Sequence, residues 1–125
     1  MKKAIYLAAA AAFLTAAAAA PAHANGKGDD GPVHIGVIGE KLKVQEVRAL
    51  LDGHVAGARA NLSLWQRGQW VKEVRGWKYS NARNVRGYQF EYVSWKFNNR
   101  SFPNNSQLCV EFDGHDHRAC ATIHD

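Results

Sequence analysis

The sequence predicts an all-β protein, a small antiparallel sandwich or barrel of about seven strands with a disulfide-closed C-terminal hairpin. Three observations predict it. Apolar residues recur at every second position in short runs, as at Val33, Ile35 and Val37, and a period of two suits a half-buried strand. Gly, Pro and Asn punctuate those runs about every ten residues, the spacing of sandwiches and barrels. The only two cysteines, Cys109 and Cys120, lie near the C-terminus, and an even count in an exported chain favours pairing.

Export is expected from the first residues. Met1-Lys2-Lys3 precedes an uncharged stretch from Ala4 to Ala20, followed by Pro21 and Ala22-His23-Ala24. A basic start, an apolar middle and a small-residue end are the order of a secretory signal peptide, here residues 1–24 with cleavage after Ala24. The stretch is Ala-rich and shorter than the roughly 20 residues that span a bilayer, so no membrane association is expected once it is removed. The expected location is extracellular and the expected source bacterial. Two of the 16 basic residues leave with the signal, so 14 face 11 acidic ones and the mature charge is +3. What remains is one small domain, residues 33–125, behind a leader, residues 25–32. The leader N-G-K-G-D-D-G-P carries no apolar residue besides Pro32 and is expected to be mobile.

Within the domain, the runs Val33-Ile35-Val37, Ala58-Ala60-Leu62-Leu64 and Tyr88-Phe90-Tyr92 read as strands. Gly39, Asp52-Gly53, Gln66-Arg67-Gly68, Gly76, Arg86-Gly87 and Pro103-Asn104-Asn105 read as the turns between them. Residues 42–52 admit two readings, because Val44, Val47, Leu50 and Leu51 lie at near-helical spacing with Gly53 as a C-cap. A strand with a bulge near Glu46 is the reading adopted, since the neighbours are β. In the C-terminal hairpin, a Gly114-His115 turn of type II′ places Cys109 opposite Cys120 and Glu111 opposite Arg118. Leu108, Val110 and Phe112 then share the apolar face with Ala119, Ala121 and Ile123. A longer loop preserves those pairs.

Function is sought where charge is uneven. Arg67 to Arg100 holds eight basic and two acidic residues, a net +6, interleaved with Trp70, Trp77, Tyr79, Tyr88, Tyr92 and Trp95. Aromatic planes among cations stack on sugar rings and attract anions. On a regular strand Trp70, Lys72 and Val74 share one face and Val71, Glu73 and Arg75 the other, so neither face is plainly basic. Trp77, Tyr79, Arg83 and Arg86, between two strands, are the candidate ligand-binding residues. No metal or cofactor is expected: D-G-H-D-H at Asp113 to His117 packs its histidines into a tight turn and lacks a full ligand set. Glu91, Glu111, His117, Arg118 and His124 are the residue types of a small nuclease. No catalytic residue is assigned, because nothing in their spacing implies mutual geometry. No nucleophile motif surrounds any serine.

Four stretches together carry a family likeness: the Ala-rich start, L-D-G-H at Leu51 to His54, R-S-F-P-N-N at Arg100 to Asn105, and C-V-E-F-D-G with A-C-A-T-I-H over Cys109 to His124. They resemble small secreted single-disulfide proteins of actinomycetes with no assigned activity. The resemblance implies a compartment and a β fold and no site residues. The expected function is a secreted, non-enzymatic binding protein for a polysaccharide or another secreted protein. An inhibitor or toxin acting on an extracellular enzyme or competitor cell is the alternative, and a small nuclease the next; nucleic acid is not an expected partner.

Overall fold

The computed structural model describes residues 26–125, so the export segment read at residues 1–24 lies outside the described residues. Nine strands form: β1 (Gly26–Asp30), β2 (Val33–Glu40), β3 (Lys43–Asp52), β4 (Arg59–Gln66), β5 (Gln69–Tyr79), β6 (Asn81–Val85), β7 (Tyr88–Ser101), β8 (Ser106–Phe112) and β9 (Arg118–Ile123). They pair antiparallel in two sheets, of order β1-β2-β3-β7-β6 and β5-β4-β8-β9. Their inner faces supply one core: Val33, Ile35, Val47, Ala49, Leu51, Val93 and Trp95 from the first sheet, and Ala60, Leu62, Leu64, Leu108, Val110, Phe112 and Ile123 from the second. The fold is the all-β sandwich of the sequence, with two more strands than expected.

One added strand lies in the stretch expected to be a mobile leader. Gly26–Asp30 pairs with β2 from Gly26↔Val37 to Asp30↔Val33. Its core-facing positions are Gly26, Gly28 and Asp30, and the missing side chains let it lie against β9. A Cβ on Gly28 would stand 1.9 Å from the Cys120 carbonyl oxygen. The strand therefore closes the sandwich edge by backbone proximity, which a search for apolar residues does not detect. The other added strand is β6, where one run of chain changes sheets: β5 pairs with β4, and after Ser80 the chain pairs with β7.

Residues 43–52 are a strand. An irregularity at Gln45, between the pairs Ile38↔Glu46 and Gly39↔Val44, shifts the alternation between Val44 and Val47. Both faces of β3 are covered, so Leu50 and Leu51 are both buried. A bulge and two-sided burial together mimic helical spacing. The run Tyr88-Phe90-Tyr92 is a strand with its faces reversed: Phe90 stands outside the main core, and Glu91, Val93 and Trp95 point inward. Gly76 is no turn; it lies inside β5 beside one of three register shifts against β4.

The C-terminal hairpin keeps the expected register, with Cys109↔Cys120 and Glu111↔Arg118. The cysteines are bonded, their Cα atoms 4.1 Å apart. The turn differs from expectation. His115 N donates to the Phe112 carbonyl at 3.0 Å, which centres the turn on Asp113 and Gly114, with Gly114 at φ +83°. Asp30 explains the longer connection, since it accepts the Arg118 backbone N–H at 2.8 Å and draws that end of the loop toward β1.

Candidate functional site

β5 and β6 form a ribbon exposed along nearly its whole length. The three register shifts break the alternation of β5: Trp70 opposes Trp65, Glu73 opposes Ser63 and Tyr79 opposes Arg59, whereas Lys72 and Arg75 oppose core residues Leu64 and Leu62. Directly opposed residues share a face. Trp70 and Tyr79 therefore stand on the outer face of the sheet, and the strict face assignment expected for this strand fails at its bulges. The inward cations fill the opening between β5 and β7: Lys78 Nζ donates to the Ser94 carbonyl at 2.7 Å, and the Arg75 guanidinium lies 4.2 Å from the Phe97 ring centre.

Trp77 and Tyr79 form one patch on the outer face, 44 % and 68 % exposed, at alternate positions about 7 Å apart. The Arg59 guanidinium backs the Trp77 ring at 5.2 Å. Arg59 is itself clasped by Asp113, whose Oδ2 accepts from Nε at 2.9 Å and from the terminal nitrogen at 2.8 Å. One ring face is thus pinned before any ligand arrives. Trp70, 58 % exposed, is a separate plane roughly 20 Å along the strand. Of the other tryptophans, Trp95 is buried, and Trp65 lies beneath Arg118, whose guanidinium is 3.7 Å from its ring centre.

Arg83 and Arg86 do not join that patch. Arg83 follows the sheet switch and stacks on Tyr92 at 4.6 Å, on the outer face of the other sheet. Arg86 occupies the β6–β7 tip at φ +51°, followed by Gly87 at +87°; positive φ at both positions matches a type I′ turn. Arg67-Gly68, at +53° and +75°, repeats the device at the β4–β5 tip. The four candidate residues thus form no single cleft: Trp77 and Tyr79 share one patch, Arg83 lies on the other sheet and Arg86 sits at the β6–β7 tip.

Beside Tyr79 lies a depression of about 600 Å³ between the 53–58 loop and the sheet switch, lined by His54, Ala56, Gly57, Tyr79, Ala82 and Glu91, among others. Glu91, 5 % exposed, accepts from Val55 N at 3.0 Å and Ser80 Oγ at 2.6 Å. It fastens the loop to the switch. In the sequence Glu91 is no more than one nuclease residue type. An acid alternating with aromatics, as in Tyr88-Gln89-Phe90-Glu91-Tyr92, reads from sequence as solvent-facing, so no sequence signal places the Glu91 side chain inside.

A second polar cluster lies on the outer face of the first sheet. Buried His34 bridges two carboxylates, through Nδ1 to Asp29 and through Nε2 to Asp52 at 3.0 Å. Tyr88 also donates to Asp52, at 2.6 Å. Burial alone would lower the His34 pKa, but hydrogen bonds to Asp52 and Asp29 and their negative charge raise it above the ordinary 6.5. Asp30 is held below the ordinary carboxylate value by the Arg118 N–H, then by His117.

The remaining nuclease-type residues are scattered: Glu111 faces Arg118 at 3.7 Å, and His117 packs against Gly31 with its Nδ1 3.4 Å from Asp30. His124 lies in the C-terminal segment after β9. Among the described residues no group of His, Cys, Asp and Glu is arranged to hold a metal ion. The chain matches no family model, and no curated protein or solved structure matches it.

Proposed function

We propose that the protein is a secreted, non-enzymatic binding protein whose β5–β6 ribbon takes an extracellular polysaccharide bearing acidic groups. The observation that carries this reading is the exposed Trp77–Tyr79 pair with Trp77 held by the Arg59–Asp113 clasp. Aromatic rings fixed at the surface bind the C–H faces of sugars with little ordering cost on the protein side. The segment Arg67 to Gly87 holds six basic residues and one acid. Lys72, Arg75 and Lys78 turn toward the opening and Arg83 lies on the other sheet, so it is the net charge of the ribbon, and not a cluster at the ring pair, that favours an anionic polymer and speeds its capture. Arginine at positive φ costs about 1 kcal/mol that glycine avoids. Both tips place a charge-bearing residue at that position, as the β2–β3 turn does with Lys41.

A protein partner that adds a strand to the β5 edge is supported less well. Three bulges interrupt that strand, and bulged edges resist strand addition. The reading therefore rests on the face of the ribbon and not on its edge.

The experiment is retention on insoluble acidic and neutral polysaccharides at low and high salt, with Trp77→Ala as control. The expected result is retention on acidic polymers that weakens with salt and with the substitution. Failure to be retained on any polymer overturns the reading.

A further inference from the structure

We infer that the depression beside Tyr79 is a sugar subsite, in which the hydroxyl groups of one pyranose unit donate to Glu91 while its C–H face rests on the Tyr79 ring. The inference deepens the polysaccharide reading and rests on it. Three observations carry it.

Glu91 is buried, and its two oxygens accept one hydrogen bond each, both from neutral donors. Among the described residues no Lys, Arg or His forms an ion pair with it. A buried carboxylate without a cation is costly unless its lone pairs find donors, and a carboxylate has about four acceptor positions. Roughly half of its capacity therefore remains for donors from the depression it lines.

The walls are set in advance. Gly53 N donates to the Gln89 carbonyl at 2.8 Å, Ala58 N to the Val55 carbonyl at 3.2 Å, and Ser80 N to the Ala58 carbonyl at 2.9 Å. His54 Nε2 lies 3.1 Å from the Arg83 carbonyl. Ala56, Gly57 and Ala82 make the space by their small size, and a volume of about 600 Å³ falls in the range of small-ligand sites.

The depression also continues the stacking row. Tyr79 belongs both to it and to the Trp77 patch, so a chain lying on Trp77 presents its next unit to Glu91. Hydroxyl groups are the matching donors: the carboxylate's own charge strengthens the bond it accepts, and a neutral donor adds no charge to a cationic ribbon.

The test follows backbone amide shifts of the oxidised protein during titration with methyl glucoside, methyl galactoside and methyl mannoside, and with the same glycosides fully O-methylated. At least one free glycoside is expected to bind in the millimolar range, with shifts at His54, Ala56, Gly57, Tyr79 and Ala82. The O-methylated forms keep the C–H face but donate nothing, and are expected to be silent. Ala82→Leu, on an exposed strand position, fills the space and is expected to abolish the shifts while the fold persists. Glu91→Gln is expected to weaken binding about tenfold, as a charge-assisted bond gives way to a neutral one. Silence with all three free glycosides, or equal binding of the O-methylated forms, overturns the subsite. Retention of the wild type on an acidic polysaccharide alongside that silence leaves the ribbon reading standing; loss of both removes both.

Discussion

Arg59 serves two neighbours, backing the Trp77 ring and anchoring on Asp113. The ion pair is partly exposed, and exposed pairs contribute only about 0–1 kcal/mol. Arg59→Ala is therefore expected to change the melting temperature little while weakening polysaccharide retention and shifting Trp77 fluorescence to the red. An unchanged emission spectrum with unchanged retention would show that Trp77 orders itself. His34 gives the pH prediction. Its pKa is raised in the fold, so its contribution is complete below the ordinary histidine pKa and is lost as pH rises through the folded value. Asp30 acts in the opposite sense: its pKa is lowered, so its contribution is present above the ordinary carboxylate value and is lost as pH falls through the folded one. Both groups bear on β1, through Asp29 and Arg118. Amide exchange over Gly26–Asp30, corrected for intrinsic rate, should be slowest between those limits, and Asp29→Asn should lower the His34 pKa in an NMR titration.

At the scale of the element, β1 depends on glycine for closeness. Gly28→Ala places a methyl against the Cys120 carbonyl and should destabilise the protein by about 1–3 kcal/mol, the usual cost of overpacking; a denaturant midpoint equal to wild type would show that β1 shifts freely. The strands that repeat a period of two over the core, β2 and β4, were readable from residues alone, as was the Cys109–Cys120 register. Three features were not, each for a physical reason. β1 has no apolar residue, and its packing signal is alternate absence of side chains. β5 carries bulges whose positions depend on pairing with β4, so its faces cannot be assigned from its own sequence. The clasp on Trp77 joins residues 54 positions apart, a juxtaposition only the sheet creates. Trp77 and Tyr79 are exposed, but not as residues between strands: both lie inside β5, and the outer face of that edge strand leaves them open.

For the whole molecule, the disulfide spans a separation of 11 residues, and a loop of that length is worth about 3 kcal/mol on the chain-entropy model. Reduction should lower the denaturant midpoint accordingly, with free thiols confirmed by mass; an unchanged midpoint would place the stability elsewhere. The two long sides of the sandwich are fastened differently. On one side a continuous chain, β5 into β6, links the sheets; on the other, β1 meets β9 through backbone proximity and the Asp30 bond to Arg118. Local opening should begin on the second side, which exchange over β1 and β9 can report.

That asymmetry also sets an order in time. The first described strand lies against the last, so the contacts between β1 and β9 are far apart along the chain, and such non-local contacts form slowly. Until Arg118 is available, Asp30 has no N–H to accept and Gly28 no carbonyl to approach. A chain interrupted in the β8–β9 connection lacks the strand that faces β1, so closure of that edge reports that β9 has been made.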